Sequence, residues 1–234
     1  MLTLSVHPTA EHAALAAAAH LAELIAEAQD VRGVAHVSLA GGKTPRRAYE
    51  LVAPLLADPG QIDWWFGDER CVPPDDPDSN YRLVRESLFR GSPLEAGRLH
   101  RIAGEQPPLL AAAAYEAELR RTVPVNGHGI PSLDVALLGL GEDGHTASLF
   151  PRDPVLLAAG GELCVPVRGP KPPPDRITLT LEMLRAAKHV LILATGSAKR
   201  AAVAAALAGP DTAVPASLLA DTAGFLIVDE DAVP

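Results

Sequence analysis

The segment LLGLGEDGHTASLFP, residues 137–151, brings two carboxylates and an imidazole together within four positions, directly after an apolar run. Glu142, Asp143 and His145 are polar side chains that need a partner when they are buried. Two glycines flank the acids and permit backbone angles that other residues resist. A histidine in such a turn can act as a general base, because its unperturbed pKa is about 6.5. The segment predicts either an active site or an elaborate turn.

A second segment, AGGKTP at residues 40–45, has the features of a phosphate-binding loop. Gly41 and Gly42 allow a ligand to approach the backbone, Thr44 supplies a hydroxyl, and the proline that follows suits the first turn of a helix. Free N–H groups and the dipole at a helix N-terminus favour anions. The segment lacks the longer glycine spacing of a Walker loop. An ordinary glycine-rich turn before a helix explains the same pattern.

Three cationic side chains follow or precede predicted strands. Arg70 lies in GDERCVPPDDPDSN, residues 67–80, and Arg176 opens the run RITLT. Lys199 lies in the first turn of a predicted helix, where it opposes the helix dipole unless an anion is close. Each could be a surface charge on its own. Together they place positive charge around one edge of a sheet, as an acidic protein that binds a phosphorylated small molecule would require.

Neither the acidic loop nor the cysteines predict a metal site. Asp75, Asp76 and Asp78 are interspersed with prolines and lack the glycine of a calcium loop. A solvated loop that ends in a helix cap at Ser79 is the better interpretation. The two cysteines, residues 71 and 164, form no CxxC motif and no zinc-type cluster, so we predict free, buried thiols.

Short apolar runs alternate with helical patterns, and these elements must position the segments above. We predict strands at residues 2–6, 34–39, 62–66, 133–139, 163–167, 189–194 and 224–228. Helices are predicted near residues 10–29, 45–56, 80–90, 108–122, 182–187 and 197–208. Most strand runs are continuously apolar, as in a parallel sheet covered on both faces. We therefore expect one domain, residues 1–234, with a doubly wound, mostly parallel sheet in a three-layer α/β/α sandwich whose ligand loops meet at one edge.

Composition excludes several classes of function. The 234 residues carry a net charge of −9, which argues against a general nucleic-acid or anionic-membrane surface. The first residues lack the basic start and apolar run of a secretory signal, and no apolar stretch reaches the ~20 residues of a membrane span. We expect a cytoplasmic protein that binds neither nucleic acid nor membrane.

Four blocks of the sequence resemble the 6-phosphogluconolactonase family of the pentose phosphate pathway. They occur in the family's order and span most of residues 38–200: SLAGGKTP, WWFGDERCVPPDDPDSNYRLVRESLF, DVALLGLGEDGHTASLFP and RITLTLEMLRAAKHVLILATGSAKR. Lys43 departs from the pattern, since the family often carries serine there. The resemblance implies an α/β sandwich shared with glucosamine-6-phosphate deaminases. It also implies hydrolysis of 6-phospho-D-glucono-1,5-lactone to 6-phosphogluconate without a cofactor or a metal.

By motif position, His145 matches the family's catalytic base and Asp143 its companion, which orients the imidazole or binds a sugar hydroxyl. We expect Arg70, or amides of the loop, to stabilise the oxyanion that forms when water attacks the lactone carbonyl. The resemblance implies that the substrate and its phosphate lie near Gly41, Gly42, Lys43, Thr44, Asp68, Arg176 and Lys199.

Two other functions fit the same fold. Sugar-phosphate deaminases and isomerases follow Asp-Gly-His with Asn-Glu, whereas residues 148–150 here are Ser-Leu-Phe. A non-catalytic sugar-phosphate-sensing module normally accompanies a DNA-binding domain, and nothing in this acidic sequence resembles one. A serine esterase is disfavoured because the sequence contains neither a GxSxG elbow nor an SxxK pair. The expected partner is a small sugar-phosphate lactone.

Overall fold

The computed structural model describes residues 2–90, 98–157 and 160–234. Within these ranges the strands are β1 (Leu2–His7), β2 (Ala35–Leu39), β3 (Ile62–Phe66), β4 (Asp68–Arg70), β5 (Arg98–Leu99), β6 (Val135–Gly139), β7 (Cys164–Arg168), β8 (Asp175–Leu179), β9 (His189–Ala194) and β10 (Gly224–Asp229). The helices are α1 (Ala10–Arg32), α2 (Lys43–Val52), α3 (Asn80–Ser87), α4 (Pro108–Thr122), α5 (Leu181–Arg185) and α6 (Arg200–Leu207).

The main sheet is parallel throughout, with the strand order β1, β10, β9, β6, β2, β3, β5. Its middle strands are buried along nearly their whole length, which explains why their sequences are continuously apolar. The prediction of a mostly parallel sheet in an α/β/α sandwich is confirmed.

Helix boundaries follow local capping signals. Helix α1 begins after Thr9, whose hydroxyl accepts a hydrogen bond from the backbone N–H of His12, and ends at Gly33, which has φ 76°. Helix α3 begins after Ser79, as predicted, because the Ser79 hydroxyl accepts from the Arg82 N–H. The helices predicted at residues 45–56 and 197–208 are each an α-helix joined to a short 3₁₀ turn.

The strand predicted at residues 163–167 exists, but it does not join the parallel sheet. As β7, it pairs antiparallel with β8, and β8 pairs antiparallel with β4, in a separate three-stranded sheet. The physical reason is the connection: residues 169–174 form a link between β7 and β8 that is too short for the crossover that parallel strands need. This sheet places Arg70 opposite Arg176.

The two cysteines are free, as predicted; Cys164 is buried, whereas Cys71 is only partly buried. No helix in the described part of the chain is long and apolar enough to cross a membrane.

Candidate active site

The loops after β2, β6 and β9 surround a cavity of about 500 Å³ at the carboxyl ends of the parallel strands. The small antiparallel sheet closes one side of it through the ends of β4 and β8. All ten candidate residues from the sequence line this cavity: Gly41, Gly42, Lys43, Thr44, Asp68, Arg70, Asp143, His145, Arg176 and Lys199. The fold therefore brings together segments that are up to about 160 positions apart in the chain.

The turn after β6 pairs His145 with Asp143. His145 Nδ1 lies 2.5 Å from Asp143 Oδ1, and the same oxygen accepts a hydrogen bond of 3.2 Å from the His145 backbone N–H. Burial opposes ionisation of Asp143, but the charge and hydrogen bonds of His145 outweigh it, so the pKa of Asp143 is lowered. The carboxylate therefore fixes the imidazole through Nδ1. Nε2 makes no hydrogen bond to any described residue.

Glycine is required at both ends of this turn. A Cβ on Gly141 would overlap the imidazole of His145, and Gly144 has φ 86°, a conformation that favours glycine. The Gly144 N–H donates to the Gly141 carbonyl at 3.0 Å, and the Gly141 N–H donates to the His145 carbonyl at 2.8 Å. These contacts hold the imidazole beside the backbone, so the turn is built around the histidine.

The loop after β2 leads into α2, and the backbone N–H groups at the start of this helix have no side-chain cap among the described residues. Gly42 precedes α2 with φ 101°, and no described side chain caps this helix end. Lys43, the first residue of α2, is exposed. The uncapped N–H groups and the helix dipole form an anion site of the kind that the sequence predicts.

Asn80, which sequence analysis did not single out, lies behind this loop. Its side chain is buried, and Nδ2 donates to the Asp68 carbonyl at 2.9 Å and to Asp68 Oδ1 at 3.0 Å. A Cβ on Gly41 would overlap the Asn80 amide. The Gly41 backbone therefore sits directly against a side chain that β4 holds in place.

Asp68 lines the cavity, but its carboxylate is already engaged by the protein. Besides Asn80, it accepts a hydrogen bond of 2.6 Å from the Ser148 hydroxyl. Ser148 lies in a tight turn, and Ala147 within it has φ 49°. Asp68 is thus better placed to organise the cavity wall than to bind substrate directly.

Five cationic side chains line the cavity: Lys43, Arg70, Lys171, Arg176 and Lys199. Burial and the nearby positive charge of Arg70 lower the pKa of Arg176. Burial also lowers the pKa of Lys199 and outweighs the opposing charges of Glu142 and Asp143, and the charge of Lys171 adds a smaller lowering. Like charges that converge at a half-buried site are unfavourable until an anion joins them.

Arg70 and Arg176 are held by backbone carbonyls. Arg70 Nη1 donates to the Asp78 carbonyl at 2.6 Å, whereas its buried Nε has no hydrogen-bond partner among the described residues. Arg176 lies over the Phe150 ring, with 5.6 Å between the guanidinium carbon and the ring centroid. Arg176 is buried, so the alternative of a surface charge at a strand start is wrong.

The sequence analysis did not identify Lys171, Asn80 and Ser148 as site residues. Asn80 and Ser148 fall inside the blocks of family resemblance, whereas Lys171 lies in the proline-rich segment at residues 168–176. Only Lys171 carries a usable signal, because it is a cation that directly precedes three prolines. For metals, no cluster of three or more His, Cys, Asp or Glu side chains suited to an ion occurs in residues 2–90, 98–157 and 160–234.

The α/β fold thus brings a carboxylate–histidine pair, uncapped helix amides and five cations to one cavity, and these groups suit general-base chemistry on a small anion. The chain matches the family described as glucosamine-6-phosphate isomerases/6-phosphogluconolactonase over residues 8–228, and it belongs to that family.

Relatives within this family are similar along most of their length. The 6-phosphogluconolactonase of Streptomyces coelicolor is 43% identical over 219 residues, covering 88% of this chain and 83% of that protein. The 6-phosphogluconolactonase of Mycobacterium tuberculosis is 34% identical over 226 residues, covering 92% and 90%. The solved structure of 6-phosphogluconolactonase from Trypanosoma brucei superposes with a TM-score of 0.87 at 29% identity, covering 99% of this chain and 97% of that one.

Proposed function

We propose that this protein is a 6-phosphogluconolactonase, which hydrolyses 6-phospho-D-glucono-1,5-lactone to 6-phosphogluconate. The observation that carries the proposal is the His145–Asp143 pair, joined at 2.5 Å and lining the same cavity as the uncapped start of α2. A lactone is an ester with an electrophilic carbonyl, so one general base, a water molecule and an oxyanion donor suffice for its hydrolysis.

In the proposed mechanism, His145 Nε2 removes a proton from a water molecule while the water oxygen bonds to the lactone carbonyl carbon. The negative charge develops on the carbonyl oxygen. When the tetrahedral intermediate collapses, the bond between this carbon and the ring oxygen breaks, and the ring oxygen takes the proton back from His145. The imidazole is thereby regenerated, and the new carboxylic acid releases its proton to solvent. Asp143 keeps the imidazole in one orientation throughout.

Arg70 is the side chain we assign to the oxyanion. Its guanidinium lines the cavity and is fixed by the Asp78 carbonyl through Nη1. A preorganised, charged donor in a partly desolvated site stabilises developing charge more than a mobile one does. The Gly41–Thr44 loop, Arg176 and Lys199 then bind the phosphate at the other end of the substrate.

The turn after His145 favours hydrolysis over amino-sugar chemistry. The Ser148 hydroxyl donates a hydrogen bond to the Asp68 carboxylate, and Leu149 is fully buried. The acid that the deaminase pattern places shortly after the histidine is therefore replaced here by buried, structural residues.

The direct test is acid release from freshly made 6-phosphogluconolactone, corrected for spontaneous hydrolysis. We expect enzyme-dependent acid release that survives prolonged EDTA treatment and gel filtration, because we propose that neither metal nor cofactor takes part. No rate above the spontaneous one would contradict the proposed activity. Loss restored by one divalent ion would contradict metal independence alone. A cytoplasmic location for the reaction stays a prediction of the sequence.

A further inference from the structure

A buried carboxylate joins the strand that carries Arg70 to the start of α3. Glu69 lies in β4 and is 2% exposed. Its Oε1 accepts hydrogen bonds from the backbone N–H groups of Arg70 at 2.8 Å and Asn80 at 2.7 Å. Its Oε2 accepts from the Tyr81 N–H at 2.8 Å and from the Ser79 hydroxyl at 3.0 Å. Each carboxylate oxygen therefore has two donors, which fills its acceptor positions.

These contacts make Glu69 a cap for α3 from a distant part of the chain. Asn80 and Tyr81 are the first two residues of α3, so their N–H groups have no partner within the helix. The Ser79 hydroxyl, which donates to Glu69, accepts from the N–H of Arg82 and so satisfies a third one. A negative charge at this position is also favourable to the helix dipole. One side chain thus fixes the start of α3 to β4.

The same carboxylate fixes Arg70 from two sides. The Arg70 backbone N–H donates to Glu69 directly. The Arg70 guanidinium donates to the Asp78 carbonyl at 2.6 Å, and Asp78 directly precedes Ser79, which Glu69 holds. Both the backbone of Arg70 and the carbonyl that orients its side chain therefore depend on Glu69, although Glu69 itself lies outside the cavity lining.

Asn80 extends this arrangement to the loop after β2. Glu69 holds its backbone N–H, and its side-chain amide donates to Asp68 and lies directly against Gly41. A displacement of the start of α3 would therefore disturb two walls of the cavity, one formed by Arg70 and the other by the Gly41 loop.

We infer that Glu69 is a positioning residue, which holds the Arg70 guanidinium and the start of α3 in the geometry that the reaction needs. The inference rests on the proposed function and gives a role in it to a residue outside the cavity. A carboxylate suits this role because both of its oxygens accept hydrogen bonds. A glutamine of the same shape offers one oxygen, and its NH₂ group would face N–H and O–H donors.

The first test compares Glu69→Gln with Asp134→Asn, a matched change of a buried carboxylate at the other end of the sheet. For Glu69→Gln we expect kcat with the phosphorylated lactone to fall about 10²-fold and KM to change less, because a displaced oxyanion donor affects the transition state more than the bound substrate. Asp134→Asn should lower the melting temperature and keep the kcat of wild type. A wild-type kcat in Glu69→Gln would overturn the inference.

A milder variant covers the case in which Glu69→Gln does not fold. Ser79→Ala removes one of the four donors to Glu69 and leaves the three backbone donors in place. We expect kcat to fall by a smaller factor, about 3- to 10-fold, again with less change in KM. An unchanged kcat in Ser79→Ala together with an unfolded Glu69→Gln would leave Glu69 a purely structural role and would overturn the inference.

A double-mutant cycle tests whether Glu69 acts through Arg70. In the Arg70→Ala background, Glu69→Gln should lower kcat much less than it does in wild type, while it lowers the melting temperature in both backgrounds. A purely structural role would lower kcat by the same factor with or without Arg70. Strictly additive losses of kcat would therefore overturn the positioning role.

The crystal structure of Glu69→Gln separates this inference from the proposed activity. If wild type showed no turnover of the lactone, the proposed activity would fail, yet a displaced Arg70 guanidinium in the variant would still support the positioning role. A guanidinium that keeps its contact with the Asp78 carbonyl would overturn the inference whether or not the lactone is hydrolysed.

Discussion

The two ends of the parallel sheet both carry charged and imidazole side chains, but they use them in opposite ways. At the carboxyl ends of the strands, Lys171 and Lys199 lack partners among the described residues, and Arg70 lies opposite Arg176. At the amino ends of β2, β3 and β6, buried acids are surrounded by cations and histidines.

Asp63 is the centre of that second cluster. It is 1% exposed, and Oδ1 lies 3.0 Å from His100 Nε2 and 3.5 Å from Arg98 Nε. His100 Nδ1 in turn lies 2.6 Å from Glu118, and the His100 ring stacks on Trp65 with 3.9 Å between centroids. Every polar atom of the His100 ring therefore has an acidic partner.

The buried Asp134, like Asp63, has its charge matched by neighbouring residues. It pairs with Arg32 and with Lys188 at 3.1 Å, and it accepts a hydrogen bond of 2.9 Å from the His36 backbone N–H. Charges that are matched within the protein stabilise structure, whereas like charges held together without a counter-ion are a feature of binding sites. The comparison explains why one end of the sheet is a candidate active site although both are rich in charge.

Removing His145 should produce the largest effect on activity and almost none on stability. For His145→Ala we expect kcat to fall about 10²- to 10⁴-fold, because a general base is lost, with an unchanged melting temperature. Steady-state kinetics of the purified variant check the fall in kcat, and thermal unfolding checks the melting temperature. Turnover close to that of wild type would remove His145 from the mechanism.

Removing Asp63 should lower stability strongly and leave activity almost unchanged. Asp63→Ala leaves His100 and Arg98 without their buried counter-ion, so we expect the free energy of unfolding to fall by about 3–5 kcal/mol. At temperatures where the variant stays folded, kcat should match wild type. Lys188→Ala, which breaks an ion pair at a half-exposed lysine, should cost less than about 1 kcal/mol and serves as the control. A large loss of kcat in folded Asp63→Ala would mean that the two ends are not independent.

Gly41→Ala tests whether the anion site depends on close packing against Asn80. The new Cβ would overlap the Asn80 amide, so the loop must shift. A substrate that is displaced with the loop by about 1 Å should lose about 10²-fold in kcat/KM. Gly127→Ala is the matched control, because nothing lies within 4 Å of the added atom. Equal kcat/KM in the two variants would show that the loop tolerates displacement.

The smallest expected effect is a pH dependence of stability from His36. Burial lowers the pKa of His36 and outweighs the opposing charges of Asp63 and Asp134. The unfolded state, with a histidine pKa of about 6.5, then binds more protons than the folded state as pH falls. The free energy of unfolding should therefore decrease below about pH 6.5, by at most about 1.4 kcal/mol per pH unit from this group.

Urea unfolding of wild type and His36→Gln between pH 5 and 8 measures this contribution. The variant should show a shallower fall toward low pH, whatever its stability at pH 8. An identical slope in both proteins would assign the pH dependence to another group.

Much of the fold could be predicted because its signals are local. The runs at β2, β3, β6 and β9 are apolar enough to be recognised as buried parallel strands, and Ser79 was recognised as a helix cap. The small antiparallel sheet was not predicted as such. β4 consists of Asp-Glu-Arg, which has no apolar period, and it is a strand only because β8 lies beside it.

The sequence by itself determined the parallel sheet, the glycine-flanked turn with His145 and Asp143, and the loops that end at one edge. These features depend on residue types and on spacings of a few positions, so hydrophobic periodicity and the positions of glycines predict them. Only the tertiary structure decided that Ser148 engages Asp68, 80 positions earlier, and that Arg176 holds the loop of Lys171 beside Lys199. These arrangements depend on where β4 and β8 of the small sheet lie relative to the loops after β6 and β9, and no local pattern in the chain encodes that placement.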